Sequence, residues 1–137
     1  MKIRPAQDAD QVHVIKLWET CGLTRPWNDP QKDFSFAKLN PTSEILVGEI
    51  ENQIIASVLV GHDGHRGSIY YLSVAPDHQG NGHGRAIHQA AIDWLREQGV
   101  WKINLSVRSE NQAVQKFYER LGYAQNDVIN MGLRLAP

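Results

Sequence analysis

Cysteine is almost missing from this chain: Cys21 is the only one in 137 residues. That excludes an internal disulfide and any CxxC metal or redox site. Cys21 lies at the apolar end of a helical stretch with no arranged histidine partner, so it reads as a buried structural thiol rather than an acyl-carrying nucleophile. Like-charged blocks are also lacking. Lys plus Arg (14) nearly cancels Asp plus Glu (15), which argues against a surface built for nucleic acid or anionic lipid. No apolar run approaches the length of a membrane span. The start, Met1-Lys2-Ile3-Arg4-Pro5, has no apolar stretch followed by a small-residue cleavage site, so no secretory signal is expected and the cytoplasm is the default. No internal repeat or low-complexity segment occurs, and His62 and His65 meet no metal-ligand spacing, so no metal is expected.

What remains is an ordinary globular composition, 42% hydrophobic and 21% charged. A chain of this size can remove roughly two-thirds of its unfolded surface from water, which predicts a single domain over residues 1–137. Ile3 and its neighbours predict a short strand. Asp8 offers an N-cap to a helix whose Val14, Ile15, Trp18 and Cys21 share a face, and Gly22 stops it. The segment from Leu23 to Pro30 predicts a loop, followed by a second short helix ending near Asn40.

Ile45-Leu46-Val47 and the run Ile54 to Val60 flank Glu51-Asn52-Gln53, a hairpin pattern. A third strand of this series is expected from about Ser68 to Val74. The connection Gly61-His62-Asp63-Gly64-His65-Arg66-Gly67 is too short for a helix, so an antiparallel meander is expected. The period then changes: Ile87, Ala90, Ala91, Trp94 and Leu95 recur at helical spacing and Gly99 closes the element. A strand over Lys102 to Val107 is expected next, then a helix faced by Val114, Phe117 and Leu121 and ending at Gly122, with Ser109 and Gln112 at capping-box spacing. Val128-Ile129 and Leu133 make the tail strand-like.

The stretch from Tyr70 to Arg85 joins a strand to a helix through a glycine-rich turn. Helix amino termini present unpaired N–H groups at the positive end of the dipole, and glycines let backbone close on an anion. A bound phosphate group is the chemistry this favours. A dinucleotide turn beginning at Gly80 would need glycine where Arg85 stands, and no Lys-Ser or Lys-Thr follows the last glycine as a P-loop requires.

Gln79-x-x-Gly82-x-Gly84, preceded by Leu72-x-Val74-x-Pro76, resembles the acetyl-CoA-binding motif of GNAT acetyltransferases. Downstream, Asn111-x-Ala113-Val114-x-x-Phe117-Tyr118-Glu119-x-Leu121-Gly122-Tyr123 is similar to that family's second motif. The resemblance implies an α/β (α+β) fold with a mixed, mostly antiparallel sheet flanked by helices. The sheet would be splayed beside the third strand of the meander, where acetyl-CoA enters. Arg25-Pro26-Trp27-Asn28-Asp29-Pro30 and the turn from His62 to Gly67 look most like the small bacterial YpeA-like members.

Carried over, the resemblance implies that backbone at Leu72 and Val74 meets the acetyl carbonyl and pantetheine arm. Gln79, Gly80, Gly82, Gly84 and Arg85 would surround the pyrophosphate, and Asn111 would bond to the cofactor arm, although an Asn there can equally cap its helix. Tyr118 matches the proton donor to the departing thiolate. The partners implied are acetyl-CoA as co-substrate and an amine acceptor; the family's frequent pairing and an exposed terminal strand would also permit a homodimer. Some members place a Glu early on the strand before the loop as base, and this chain has none there. His62, Asp63 and His65 in the turn and Tyr70 on the strand are the candidates. Trp27 and Asp29, with Tyr70, are expected at the acceptor site, where an aromatic and a carboxylate suit a cationic amine; the alternative is that Trp27 packs on the core and Asp29 caps the second helix. The rival functions are a non-catalytic acyl-CoA-binding regulatory module and a nucleotide-binding interaction domain.

Overall fold

The computed structural model describes residues 1–137, which divide into two compact units, residues 1–105 and residues 106–137. The first unit opens with β1 (Lys2–Pro5), α1 (Gln11–Thr20) and α2 (Pro30–Leu39). The meander β2 (Ser43–Ile50), β3 (Gln53–His62) and β4 (Gly67–Val74) follows, and then α3 (His83–Glu97). The four strands form one antiparallel sheet in the order β1-β2-β3-β4.

Local chemistry sets these boundaries. Ile50 pairs with Gln53, and the intervening Glu51 and Asn52 both take positive φ (51° and 64°), the backbone of a two-residue type I′ turn. The expected cap at Asp8 is replaced by a 3-10 turn over Asp8–Asp10 ahead of α1. Asp10 is instead held by Arg4, whose Nη1 and Nη2 donate to its carboxylate at 2.7 and 3.1 Å. Asp29 caps α2, its carboxylate accepting from the amides of Gln31 and Lys32, with Pro30 at the first turn.

Strand side chains alternate between faces, and the sheet is buried on both. Leu46, Val58 and Val60 pack with Ile69 and with Ile87, Ala91 and Leu95 of α3. Ile45 and Val47 pack with Val14 and Trp18 of α1 and Phe34 and Ala37 of α2. At Gly67 α3 approaches closely: a Cβ there would stand 2.7 Å from Leu95 Cδ1.

Two irregularities shape β4. Ser57 pairs with Ser73 and Leu59 with Tyr70, leaving Val58 alone opposite Tyr71 and Leu72, a β-bulge. Tyr71 has φ +55°. The other irregularity is the missing fifth strand. The expected strand over Lys102 to Val107 is reduced to one parallel bridge between Gly67 and Ile103, made by Gly67 N–H to Lys102 O and Asn104 N–H to Gly67 O, both 2.9 Å. A parallel ladder needs evenly spaced partners, which the bulge further along β4 does not offer. Beyond Gly67, β4 is the edge of the sheet.

The second unit holds α4 (Gln112–Arg120). Asn111, rather than Ser109, caps it: its Oδ1 accepts from the amide of Val114 at 3.3 Å. Asn130 Nδ2 donates to Ser106 Oγ at 2.7 Å. The strand expected around Val128-Ile129 and Leu133 does not form; no strand in this unit takes up its backbone groups, and alternation alone does not make a stable ladder.

Candidate functional site

β4 leads through the Pro76–His78 turn into the glycine loop. Gln79 turns back, its Nε2 donating to the Val74 carbonyl at 3.0 Å. Gly80 and Gly82 then take φ of +81° and +84°, a left-handed backbone that costs glycine little. Gly82 stands at the N-cap of α3 without any side chain capping the helix, and the amide of Ala86 bonds to the Gly82 carbonyl at 3.1 Å. The amides of His83, Gly84 and Arg85 therefore precede the first intrahelical bond and face the helix entrance. A Cβ placed on Gly80 or Gly82 meets nothing within 4 Å, so the space over the loop is open. An uncapped helix start, an open backbone and the Arg85 guanidinium fit a pyrophosphate.

Leu72 and Val74 sit at the end of the same strand, Leu72 in the bulge and both packed against the α3-side core. On the opposite face lies a polar and aromatic assembly that periodicity did not show. Trp18 stacks on Tyr71 with ring centroids 3.9 Å apart and planes 10° from parallel. Its Nε1 donates to Ser57 Oγ at 2.9 Å, and the Ser57 and Ser73 hydroxyls are 2.9 Å apart. Tyr71 donates to Asp33 Oδ2 of α2 at 2.7 Å. Burial, then the bond to Asp33, raises the Tyr71 phenol well above its ordinary value, so it holds its proton and acts as donor. The signal in the sequence is the run Tyr70-Tyr71-Leu72, three large side chains in succession that break the period of two.

Cys21 is half-buried rather than buried. Its Sγ donates to the Val74 carbonyl at 3.3 Å, and burial pushes its pKa up, as expected of a thiol without nucleophilic activation.

The turn between β3 and β4 is self-contained. Asp63 Oδ1 accepts from the amides of His65 and Arg66 at 2.8 and 2.7 Å, and these bonds lower its pKa. His62 Nδ1 accepts from the amide of Gly64 at 3.1 Å. From Gly67 to Leu72 the strand runs about 16 Å, which separates His65 and Asp63 from the bulge. Tyr70 is 58% exposed on β4, and Trp27 is 52% exposed in the loop before α2. Asp29 in that loop is committed to the cap of α2.

In the second unit, Tyr118 on α4 makes edge-on contacts with Phe117 (5.1 Å) and Tyr123 (5.3 Å). Burial pushes its pKa up to about 12, which keeps the phenol protonated at neutral pH. Asn111 spends its carbonyl oxygen on the α4 cap, leaving its amide nitrogen as the group that can donate to a ligand.

The model of the acetyltransferase (GNAT) family matches residues 12–123. An acetyltransferase of Yersinia enterocolitica is 46% identical over 136 residues, 98% of this chain and 96% of the relative. The structure of AAC(6')-Iy in complex with the bisubstrate analogue CoA-S-monomethyl-acetylneamine is similar at a TM-score of 0.83 and 13% identity, over 98% of each chain. The ribosomal-protein-S18-alanine N-acetyltransferase from Escherichia coli gives 0.76 at 24% identity, over 88% of this chain and 76% of that one. At these identities the two structures speak to fold. With the family match and the Yersinia relative, they show that the chain belongs to the GNAT family of acetyl-CoA-dependent N-acetyltransferases.

Proposed function

We infer that this chain transfers the acetyl group of acetyl-CoA to a primary amine by direct attack, and that the open glycine loop at the start of α3 is what carries this reading. The amides of His83, Gly84 and Arg85 and the Arg85 side chain hold the pyrophosphate, with Gln79, Gly80 and Gly82 shaping the loop. Backbone at Val74 receives the pantetheine arm and the Leu72 N–H takes the acetyl carbonyl oxygen.

The neutral amine attacks the thioester carbon and charge develops on that oxygen, which the Leu72 N–H stabilises. When the C–S bond breaks, Tyr118 gives its proton to the sulfur, a role supported by its place in the second motif. Asn111 donates to the cofactor arm from its amide nitrogen. The nitrogen's proton leaves to solvent water: Asp63 is tied to turn amides, and His65 shares its distance from the bulge. Tyr70 and Trp27 are the exposed aromatics we place at the acceptor side. Asp29 contributes by fixing the start of α2. The sequences of the α1–α2 loop and the β3–β4 turn support a place among the small bacterial YpeA-like members.

The test is thiol release from acetyl-CoA across a panel of amines, for wild type and Tyr118→Phe, with CoA binding measured for both. Acceptor-dependent release that collapses in the variant while binding persists supports the scheme. Binding with no release for any amine favours a regulatory module, and failure to bind CoA removes the reading altogether.

A further inference from the structure

The bulge in β4 sits in an unusual place for its residue. In the bulge type whose first residue is left-handed, that residue is ordinarily glycine, and a bulky side chain at positive φ persists only where its surroundings over-determine it. Tyr71 occupies this position with φ +55°. Two contacts from outside the sheet grip its side chain: the face of Trp18, 3.9 Å away, and Asp33 Oδ2, 2.7 Å from the phenol. Trp18 is itself fixed, fully buried and bonded through Nε1 to Ser57, the residue of β3 whose partner Ser73 closes the bulge.

We propose that Trp18 and Asp33 are positioning residues for acetyl transfer: from α1 and α2 they clamp the Tyr71 side chain, and so hold the left-handed bulge that aims the neighbouring Leu72 N–H at the thioester carbonyl. This rests on the reading that the Leu72 N–H receives that oxygen. A peptide rotation at Tyr71 is the motion that would re-aim the following N–H. Glycine at this position would relieve the backbone but lose the grip; tyrosine accepts the strain because both contacts need its ring and hydroxyl. The clamp also makes α2, the helix behind the α1–α2 loop, part of the apparatus that sets the oxyanion donor.

The experiment binds carbonyl-¹³C-labelled acetyl-CoA to the protein and follows the thioester carbonyl stretch by infrared difference spectroscopy, alongside the dissociation constant of CoA and a thermal melt. Wild type shifts the band to lower frequency, as a carbonyl does on accepting a hydrogen bond. Tyr71→Phe, which keeps the stack but loses the bond to Asp33, and Asp33→Ala lose most of that shift while their CoA dissociation constants stay within about twofold of wild type. Asp33→Asn, still able to accept from Tyr71, restores it. Full shifts in Tyr71→Phe and Asp33→Ala overturn the clamp even if both melt earlier, since the contact is then packing alone. A wild type that binds acetyl-CoA with no shift removes the reading of the Leu72 N–H, and the clamp's catalytic role with it.

Discussion

The indole N–H of Trp18 donates to Ser57 Oγ at 2.9 Å, with both residues fully shielded from solvent. The bond joins α1 to β3, and the Ser57 hydroxyl is shared with Ser73, so one buried hydroxyl group links a helix to two strands beside the bulge. A buried donor left without its acceptor costs more than the net worth of the bond it made.

Ser57→Ala should therefore destabilise the protein by about 1–3 kcal/mol, because the Trp18 N–H is left buried and unpaired. Ser73→Ala should cost less, since Ser57 still accepts from Trp18. Urea unfolding of the two variants checks the order; a Ser57→Ala variant no less stable than Ser73→Ala would refute it.

Stability should depend on pH through His88 and Asp10. His88, 6% exposed on the inner side of α3, is held below its ordinary value first by burial and then by the charge of Arg85. The unfolded chain binds a proton near pH 6.5 that the folded chain resists, so stability is intact above that value and falls as pH drops from it toward the folded pKa. Asp10 is lowered from 3.8, first by its bond to Arg4; the stability it contributes is present above the unfolded value and is lost as pH falls through the folded one. Unfolding free energy should thus be lower near pH 5.5 than near pH 7.5, about one unit either side of an ordinary imidazole pKa, and His88→Gln should flatten the difference. Asp10→Asn should leave that window unchanged.

Two glycines separate packing from binding. Gly67→Ala drives a methyl toward Leu95 Cδ1 at 2.7 Å and should cost about 1–3 kcal/mol by overpacking. Gly82→Ala meets no protein atom within 4 Å; its penalty is the left-handed backbone, about 1–2 kcal/mol. On the reading of the loop as a pyrophosphate cradle, Gly82→Ala weakens CoA binding at least as much as it lowers stability, whereas Gly67→Ala, at the far end of β4, leaves the dissociation constant near wild type. Calorimetry of CoA binding to both variants decides it; equal binding by Gly82→Ala and wild type would count against the cradle.

Much of this was legible beforehand, and the failures share a cause. The hairpin at Glu51-Asn52, the antiparallel meander and α3 from its apolar period follow from local pattern and turn chemistry, and so does the glycine loop. Asp29 directly before Pro30 is a local cap signal, and Asp29 caps α2. What local pattern could not show is pairing and grip at a distance. Lys102 to Val107 has strand-like alternation, but a ladder needs a partner and the bulge in β4 interrupts it. Nothing local to Tyr71 marks its hydroxyl partner, because Asp33 lies 38 residues away in sequence. Asp63 is a candidate base by residue type, and its amide partners in the folded turn, which lower its pKa, are likewise not readable from the sequence.

The pH dependence of the reaction tests Tyr118. An acid works in its protonated form, and a phenol pushed up to about 12 keeps its proton across the whole range in which the enzyme is assayable. The acceptor has the opposite requirement: an alkylamine with a pKa of about 10.4 becomes nucleophilic only as it loses its proton. The rate with such an acceptor should therefore climb with pH to about 10 with no falling limb from Tyr118. Tyr118→Phe keeps the ring contacts to Phe117 and Tyr123, so it should fold and bind CoA, while its rate falls by about 10²- to 10⁴-fold with the same rising slope. A wild-type profile that turns down below about pH 10, with the downturn abolished in Tyr118→Phe, would overturn the raised pKa while keeping the phenol as the acid; a Tyr118→Phe rate equal to wild type would mean that the acid lies elsewhere.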